Sequence, residues 1–194
     1  MNPMRITVVL TLLILTACAH TPLQVNSGNQ GDIEIVQGGR AVVTDADGRL
    51  RLRGEPFEIR SRWSQVNVCI SRSEADLGKV SAGADTVRDM GSCFNLGKSY
   101  AMEGDARYLI VGEGVNTLNE AHGMRRNGQY FWFPVGFLYE ETSHKEVSLG
   151  QTTGLYFTAF WVDKNGDRRL DAGEFALVQL LFDPIRSKGV AGKP

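Results

Sequence analysis

Residues 155–182 read LYFTAFWV, then DKNGDRRLDAGE, then FALVQLLF. The first eight are aromatic and β-branched almost throughout, which suits a pleated strand. The last eight are nearly all apolar, and their pattern alone fits a strand or a helix. Between them stand five oxygen-bearing side chains: Asp163, Asn165, Asp167, Asp171 and Glu174. Two strands joined by a long polar turn are favoured over two helices, because the leading run is so rich in strand formers.

The rest of the chain agrees. Residues 33–36 (IEIV) alternate once and then run apolar, and Val66, Val68 and Ile70 alternate with Asn67 and Cys69. In residues 49–53 (RLRLR) both Leu side chains fall on one strand face and the three Arg on the other. With residues 41–44 (AVVT) and the Asp47-Gly48 turn signal, this predicts strand–turn–strand. Residues 108–111 and the aromatic stretch 130–139 add further strands, with Pro134 expected at a bulge or an edge. Helical signal is confined to two short pieces, 73–79 and 84–90. The expectation is a mostly β chain: a single antiparallel β-sandwich or barrel-like domain with one or two short helices.

Composition narrows the function classes. The chain has 194 residues, with 21 Lys+Arg against 22 Asp+Glu, a net charge of −1. That balance argues against a strongly basic nucleic-acid binder, so no nucleic-acid partner is expected. Hydrophobic residues at 42% are enough for a folded core. Three His and three Cys speak against a His-rich metal site or a dense disulfide scaffold.

The N-terminus reads as an address. Arg5 precedes an apolar run at 6–15, too short for a spanning helix and suited to a secretory leader. A buried N-terminal helix or strand is the competing reading. Leu15-Thr16-Ala17-Cys18 resembles the lipobox of bacterial lipoproteins. The resemblance implies a diacylglyceryl group on Cys18, cleavage after Ala17 and acylation of the new amino group, so that the membrane is a partner through the lipid anchor. Ala19, rather than Asp, then favours the outer membrane, with the domain facing the periplasm. The expected division is a lipoprotein signal peptide at 1–17, a lipidated flexible tether at 18–31, the β-domain at 32–185 and a tail at 186–194. With Cys18 taken by lipid, Cys69 and Cys93 remain. In an oxidising compartment they most simply pair, although two separate buried thiols would also fit.

The polar stretch 163–174 carries the chemistry. Counted from Asp163, side-chain oxygens fall at positions 1, 3, 5, 9 and 12, and Leu170 falls at 8. It resembles the calcium loops of EF-hand and dockerin modules, and similar turns in secreted bacterial β-domains. The resemblance implies a structural Ca²⁺ held by Asp163, Asn165, Asp167, the Arg169 carbonyl, Asp171 and Glu174. Calcium is a hard cation that takes six to eight oxygens, which a tightly wound loop presents from alternate positions. Leu170 would point the other way and pin the loop to the core. The departure is Arg168 at position six, where Gly normally makes the sharp turn. An acidic turn that never meets metal is the plainer alternative.

Other constellations are poor. His122 and His144 stand in polar, loop-like settings, and there is no Gly-x-Ser-x-Gly elbow. One face of residues 130–139 is expected in the core, while the other suits either a binding surface or packing under a loop. The functional expectation is a cell-envelope lipoprotein with a non-enzymatic, calcium-stabilised β-domain, acting as a binding or envelope-maintenance module with an envelope protein or glycan as partner. A periplasmic hydrolase or glycan-acting enzyme on a β-scaffold is the alternative.

Overall fold

The structure, a computed structural model, describes residues 23–26, 31–78, 80–86, 99–101, 107–112 and 114–183. Along the chain run β1 (Ile33–Gln37), β2 (Arg40–Ala41), β3 (Arg49–Arg53), β4 (Phe57–Ser61), β5 (Gln65–Ser71), β6 (Ser99–Ala101) and β7 (Tyr108–Val111). They are followed by β8 (Val115–Asn119), β9 (Arg125–Asn127), β10 (Tyr130–Val135), β11 (Phe137–Glu140), β12 (Lys145–Ser148), β13 (Gly154–Trp161) and β14 (Phe175–Asp183). The first sheet has the order β2-β1-β4-β10-β9, the second β3-β14-β13-β5-β8-β6, and a third, smaller sheet β12-β11-β7.

The expected period-two faces meet in one core. Ile33 and Ile35 of β1, Phe57 and Ile59 of β4, and Phe133 and Val135 of β10 point inward from the first sheet. Val66, Val68 and Ile70 of β5 oppose them with Leu50, Leu52, Tyr156, Phe160, Leu180 and Phe182 from the rest of the second. Leu109, Val111 and Leu138 of the third sheet join the same cluster. Each large side chain so buried contributes about 1.5–3 kcal/mol relative to exposure. The chain is therefore mostly β, and its two larger sheets face each other as a sandwich.

Pairing departs from a purely antiparallel arrangement at β3–β14, β7–β11 and β6–β8, which are parallel. The hairpin expected from residues 41–44 and 49–53 shrinks to a single bridge, Thr44 to Leu50, because residues 40–42 bond β1 instead. The Asp-Gly turn itself is present. Asp45 accepts the backbone N–H groups of Asp47 and Arg49, and these bonds, the Arg49 one foremost, hold its carboxyl below the usual range. At the seam between the second and third sheets lies Asn116, fully buried. Its amide donates to the carbonyls of Val68 and Ile110, and its oxygen accepts the Ile110 N–H. One side chain thus ties β8 to the backbones of β5 and β7 across that seam.

A second layer covers the outer face of the second sheet. Cys69, Ala159 and Trp161 pack there against Leu77, Val80, Ala84, Val115 and Leu170. That burial on both faces explains why residues 155–162 are apolar on both strand faces apart from Thr158. The short helix expected at 73–79 is a 3₁₀ turn, Glu74–Leu77, that seats Leu77 in this layer. The helix expected at 84–90 does not begin at Ala84: the Ala84 carbonyl accepts the Leu170 N–H, and Asp85 bridges Arg169. Residues 87–90 lie outside the described residues, as do Cys18, Cys93 and the tail at 186–194.

Part of the expected tether is held by the domain. Leu23 is buried in the main core, Val25 bridges Ile33 in parallel, and the Asn26 amide bonds the backbone of both Ile35 and Val42. The body therefore takes in Leu23 to Asn26, not only residues from Asp32 on. The sequence signal was only Leu23 and Val25 among polar residues, too few positions to make a periodic pattern.

Candidate calcium loop and neighbouring surfaces

The polar stretch is the connection of a β13–β14 hairpin. Trp161 faces Phe175, and the Val162 N–H donates to the Glu174 carbonyl, so the loop's two ends are clamped together. Both flanks are strands, and the ambiguous run 175–182 falls within β14.

Inside the loop the Asx side chains form a ladder. Asp163 accepts the N–H groups of Gly166 (2.7 Å) and Arg168 (3.0 Å), Asn165 accepts that of Asp167 (3.0 Å), and Asp167 accepts that of Arg169 (2.7 Å). Short polar side chains bond the backbone a few residues on in this way, and the loop is wound tight as a result. Arg168 has φ +66, so at position six the backbone takes the left-handed turn that Gly would favour. Gly166, at φ +74, supplies a second such turn without strain.

Glu174 is buried, at 3% exposure. Its Oε1 accepts the Lys164 N–H at 2.7 Å and its Oε2 the Asp171 N–H at 3.0 Å. It is a latch that ties the start of the loop to its end. Leu170 is fully buried in the second layer, as the sequence led us to expect. The backbone beside it is sewn to residues 83–86: Gly83 donates to the Leu170 carbonyl, and Thr86 to that of Arg168. The Arg169 carbonyl is left out of this ladder.

The loop carries all the expected ligand residues, but side chain to side chain it links only Asn165, Asp167 and Asp171, while both Glu174 oxygens are turned onto backbone N–H groups. Their oxygen chemistry suits a hard cation. Two carboxylates already face one point: the Asn165 amide nitrogen lies 3.1 Å from Asp167 and 3.4 Å from Asp171, linking them by N–H donation. Among the described residues no three His, Cys, Asp or Glu groups close on a single point. Cys69 is buried and disulfide-bonded, and its expected partner Cys93 lies outside the described residues.

Two clefts flank these elements. One, of about 280 Å³, opens beside the loop between Trp63, Ser64, Gln65, Asn67, Asp163 and Lys164. Lys164 donates to the Gly173 carbonyl and sits 5.3 Å above the Trp63 ring. The other, of about 370 Å³, lies on the outer face of the first sheet among Glu58, Arg125, Arg126, Asn127, Trp132 and Pro134. A cross-strand row, Glu34–Arg60–Trp132–Arg125, leads into it by register, with the Arg60 guanidinium 3.5 Å from the Trp132 ring centre. So the aromatic stretch divides as expected, Phe133 and Val135 inward and Trp132 outward. Pro134 stands where β9 has already ended, so β10 has no partner on that side to miss its N–H.

The two body histidines stay apart from any such chemistry. His122 lies in the 3₁₀ turn after β8, His144 at the turn after β11, and neither imidazole bonds a carboxylate or hydroxyl among the described residues. A buried hydroxyl with ionisable neighbours lies elsewhere. Tyr156 bonds Glu140 at 3.3 Å beneath Arg72, and burial raises its hydroxyl pKa well above the ordinary 10.0. Sequence reasoning did not find this cluster, since its members are far apart in the chain. Among the described residues no helix is long and apolar enough to cross a membrane. No protein family, no curated protein and no solved structure matches the chain.

Proposed function

We propose that this chain is a cell-envelope lipoprotein, anchored through Cys18 to the outer membrane and facing the periplasm. Its β-domain is non-enzymatic and acts as a binding or envelope-maintenance module. The observation that carries the reading is the disulfide at Cys69 behind a leader ending Leu15-Thr16-Ala17-Cys18. Disulfides persist in oxidising compartments, the destination that such a leader specifies. Cys93 is the proposed partner of Cys69.

Calcium is proposed as a structural cofactor of the 163–174 loop. When bound it would supply two positive charges amid four carboxylates. Asp163, Asn165, Asp167, Asp171, Glu174 and the Arg169 carbonyl would hold it. Leu170 and the 83–86 ladder fix the backbone between Arg168 and Leu170. The Trp132 cleft suits an envelope protein or a glycan, since it sets an aromatic ring beside arginine, asparagine and glutamate groups.

Metabolic labelling with a clickable palmitate tests the anchor. Label is expected on the wild type and not on Cys18→Ala, and equal labelling of the two would overturn the reading.

A further inference from the structure

We infer that Asn127, in the wall of the Trp132 cleft, is a site of spontaneous deamidation, and that the same step is held back at Asn165. The Asn-Gly pair occurs twice in the chain, at 127–128 and at 165–166. In such a pair the glycine nitrogen can attack the preceding side-chain amide, since no Cβ crowds the approach. The nitrogen gives its proton to solvent base and bonds Cγ. The Cγ–Nδ2 bond breaks, and the leaving nitrogen takes a proton from water and departs as ammonia. A second water then opens the ring, at one carbonyl to aspartate and at the other to isoaspartate. The net change turns an amide and one water into a carboxylate and ammonium.

All four residues are exposed, so access to solvent does not separate the two pairs. Hydrogen bonding does. At 165–166 every group that the reaction uses is engaged. The attacking nitrogen, Gly166 N–H, donates to Asp163 Oδ1 at 2.7 Å. The carbonyl oxygen, Asn165 Oδ1, accepts the Asp167 N–H at 3.0 Å. The leaving nitrogen donates to Asp167 at 3.1 Å and to Asp171 at 3.4 Å. Swinging this side chain onto Gly166 opens bonds in a loop whose ends are clamped by β13 and β14.

At 127–128 no such bond is present among the described residues. Asn127 ends β9 and pairs with Tyr130, leaving Gly128 and Gln129 as a two-residue turn, with Gly128 at φ +63. The first central N–H of such a turn is not spent on closing the hairpin. Neither the Asn127 amide nor the Gly128 N–H has a hydrogen-bond partner among the described residues. β9 is also the outermost strand of its sheet, so the turn is braced on one side alone.

The product changes the cleft, which Asn127 lines together with Arg125, Arg126 and Trp132. An amide that both donates and accepts becomes an acceptor-only carboxylate beside two guanidinium groups. Isoaspartate also lengthens the backbone by one carbon next to the Tyr130 pair. A newly made copy and an old copy therefore present different faces to any ligand of this cleft.

The test holds purified, folded protein at mildly alkaline pH in chelator and follows both pairs by peptide mass spectrometry. Asn127 is expected to convert first, ahead of Asn165 by at least about tenfold, since opening one or two net hydrogen bonds slows a step by about that factor. In urea both pairs should convert at similar rates. Asp163→Ala, which releases the Gly166 N–H, should speed Asn165 in the folded protein. On isoelectric focusing an acidic band should grow with age, co-migrate with Asn127→Asp and be missing from Asn127→Gln. Equal rates in the folded protein, faster conversion of Asn165, or a gap that persists in urea would overturn the assignment. So would slower conversion of Asn165 in Asp163→Ala, or an acidic band that grows undiminished in Asn127→Gln.

Discussion

Replacing Glu174 by Gln separates a latch from a metal ligand. In the structure both carboxylate oxygens of Glu174 accept backbone N–H groups, from Lys164 and Asp171, at 3% exposure. A glutamine keeps one acceptor oxygen and turns its N–H₂ toward the other N–H. One charge-assisted bond becomes neutral, and two donors face each other in a buried place. Together these cost about 3 kcal/mol before any ion is considered. For a domain of this size that is a fall in melting temperature of about 6–12 °C, measured in chelator. Calcium then adds a second, separable effect. At about 100 times its dissociation constant the ion stabilises the wild type by about 2.7 kcal/mol. Glu174→Gln should lose most of that response, since it removes a charged ligand. The assay is a pair of thermal melts, with chelator and with millimolar calcium, on each protein. A loss below about 1 kcal/mol in chelator would refute the latch geometry. An equal calcium response in both proteins would mean that the loop is only an acidic turn.

Leu170→Ala empties a fully buried site beneath Trp161 and Leu77, and should cost about 2–5 kcal/mol in urea unfolding; an effect below about 1 kcal/mol would show that the loop is not pinned there. Arg168→Gly should stabilise by about 0.5–1 kcal/mol, because the residue already sits at φ +66. Destabilisation by that change would contradict the turn as described. Tyr156 binds its proton more tightly folded than unfolded, so the linked stability is complete below the ordinary pKa of 10.0 and falls as pH rises beyond it. Tyr156→Phe should therefore flatten the alkaline limb of the stability curve, and an unchanged limb would sink the assignment.

The strands that were legible in the sequence are those whose neighbours are ordinary. Residues 49–53 alternate Arg and Leu because one face meets the core and the other solvent. Phe57–Ser61 also alternates, with Phe57, Ile59 and Ser61 buried, yet five residues ending in Arg-Ser give a weak signal beside stronger runs. Partnerships were not legible. Nothing local tells Arg49–Arg53 that its neighbour is Phe175–Asp183, since parallel pairing leaves no turn to read. The loop was the opposite case: its spacing set out every side chain that the ladder uses, because each bonds only a few residues away. Glu174 was read as a ligand, whereas its two backbone bonds depend on how the chain closes and appear only in three dimensions.

The parallel β3–β14 pair has a consequence in time. β14 lies between β3 and β13, and its last residue, Asp183, pairs with Arg53. Until that strand is synthesised, β3 has no main partner and the edge of β13 is open. Closing so long a loop is slow, and a nascent chain halted before Phe175 has only part of its core to gather around. For a protein bound for the envelope, as proposed above, such lateness keeps the chain threadable through a narrow export channel. The final strand then commits it to its fold on the far side.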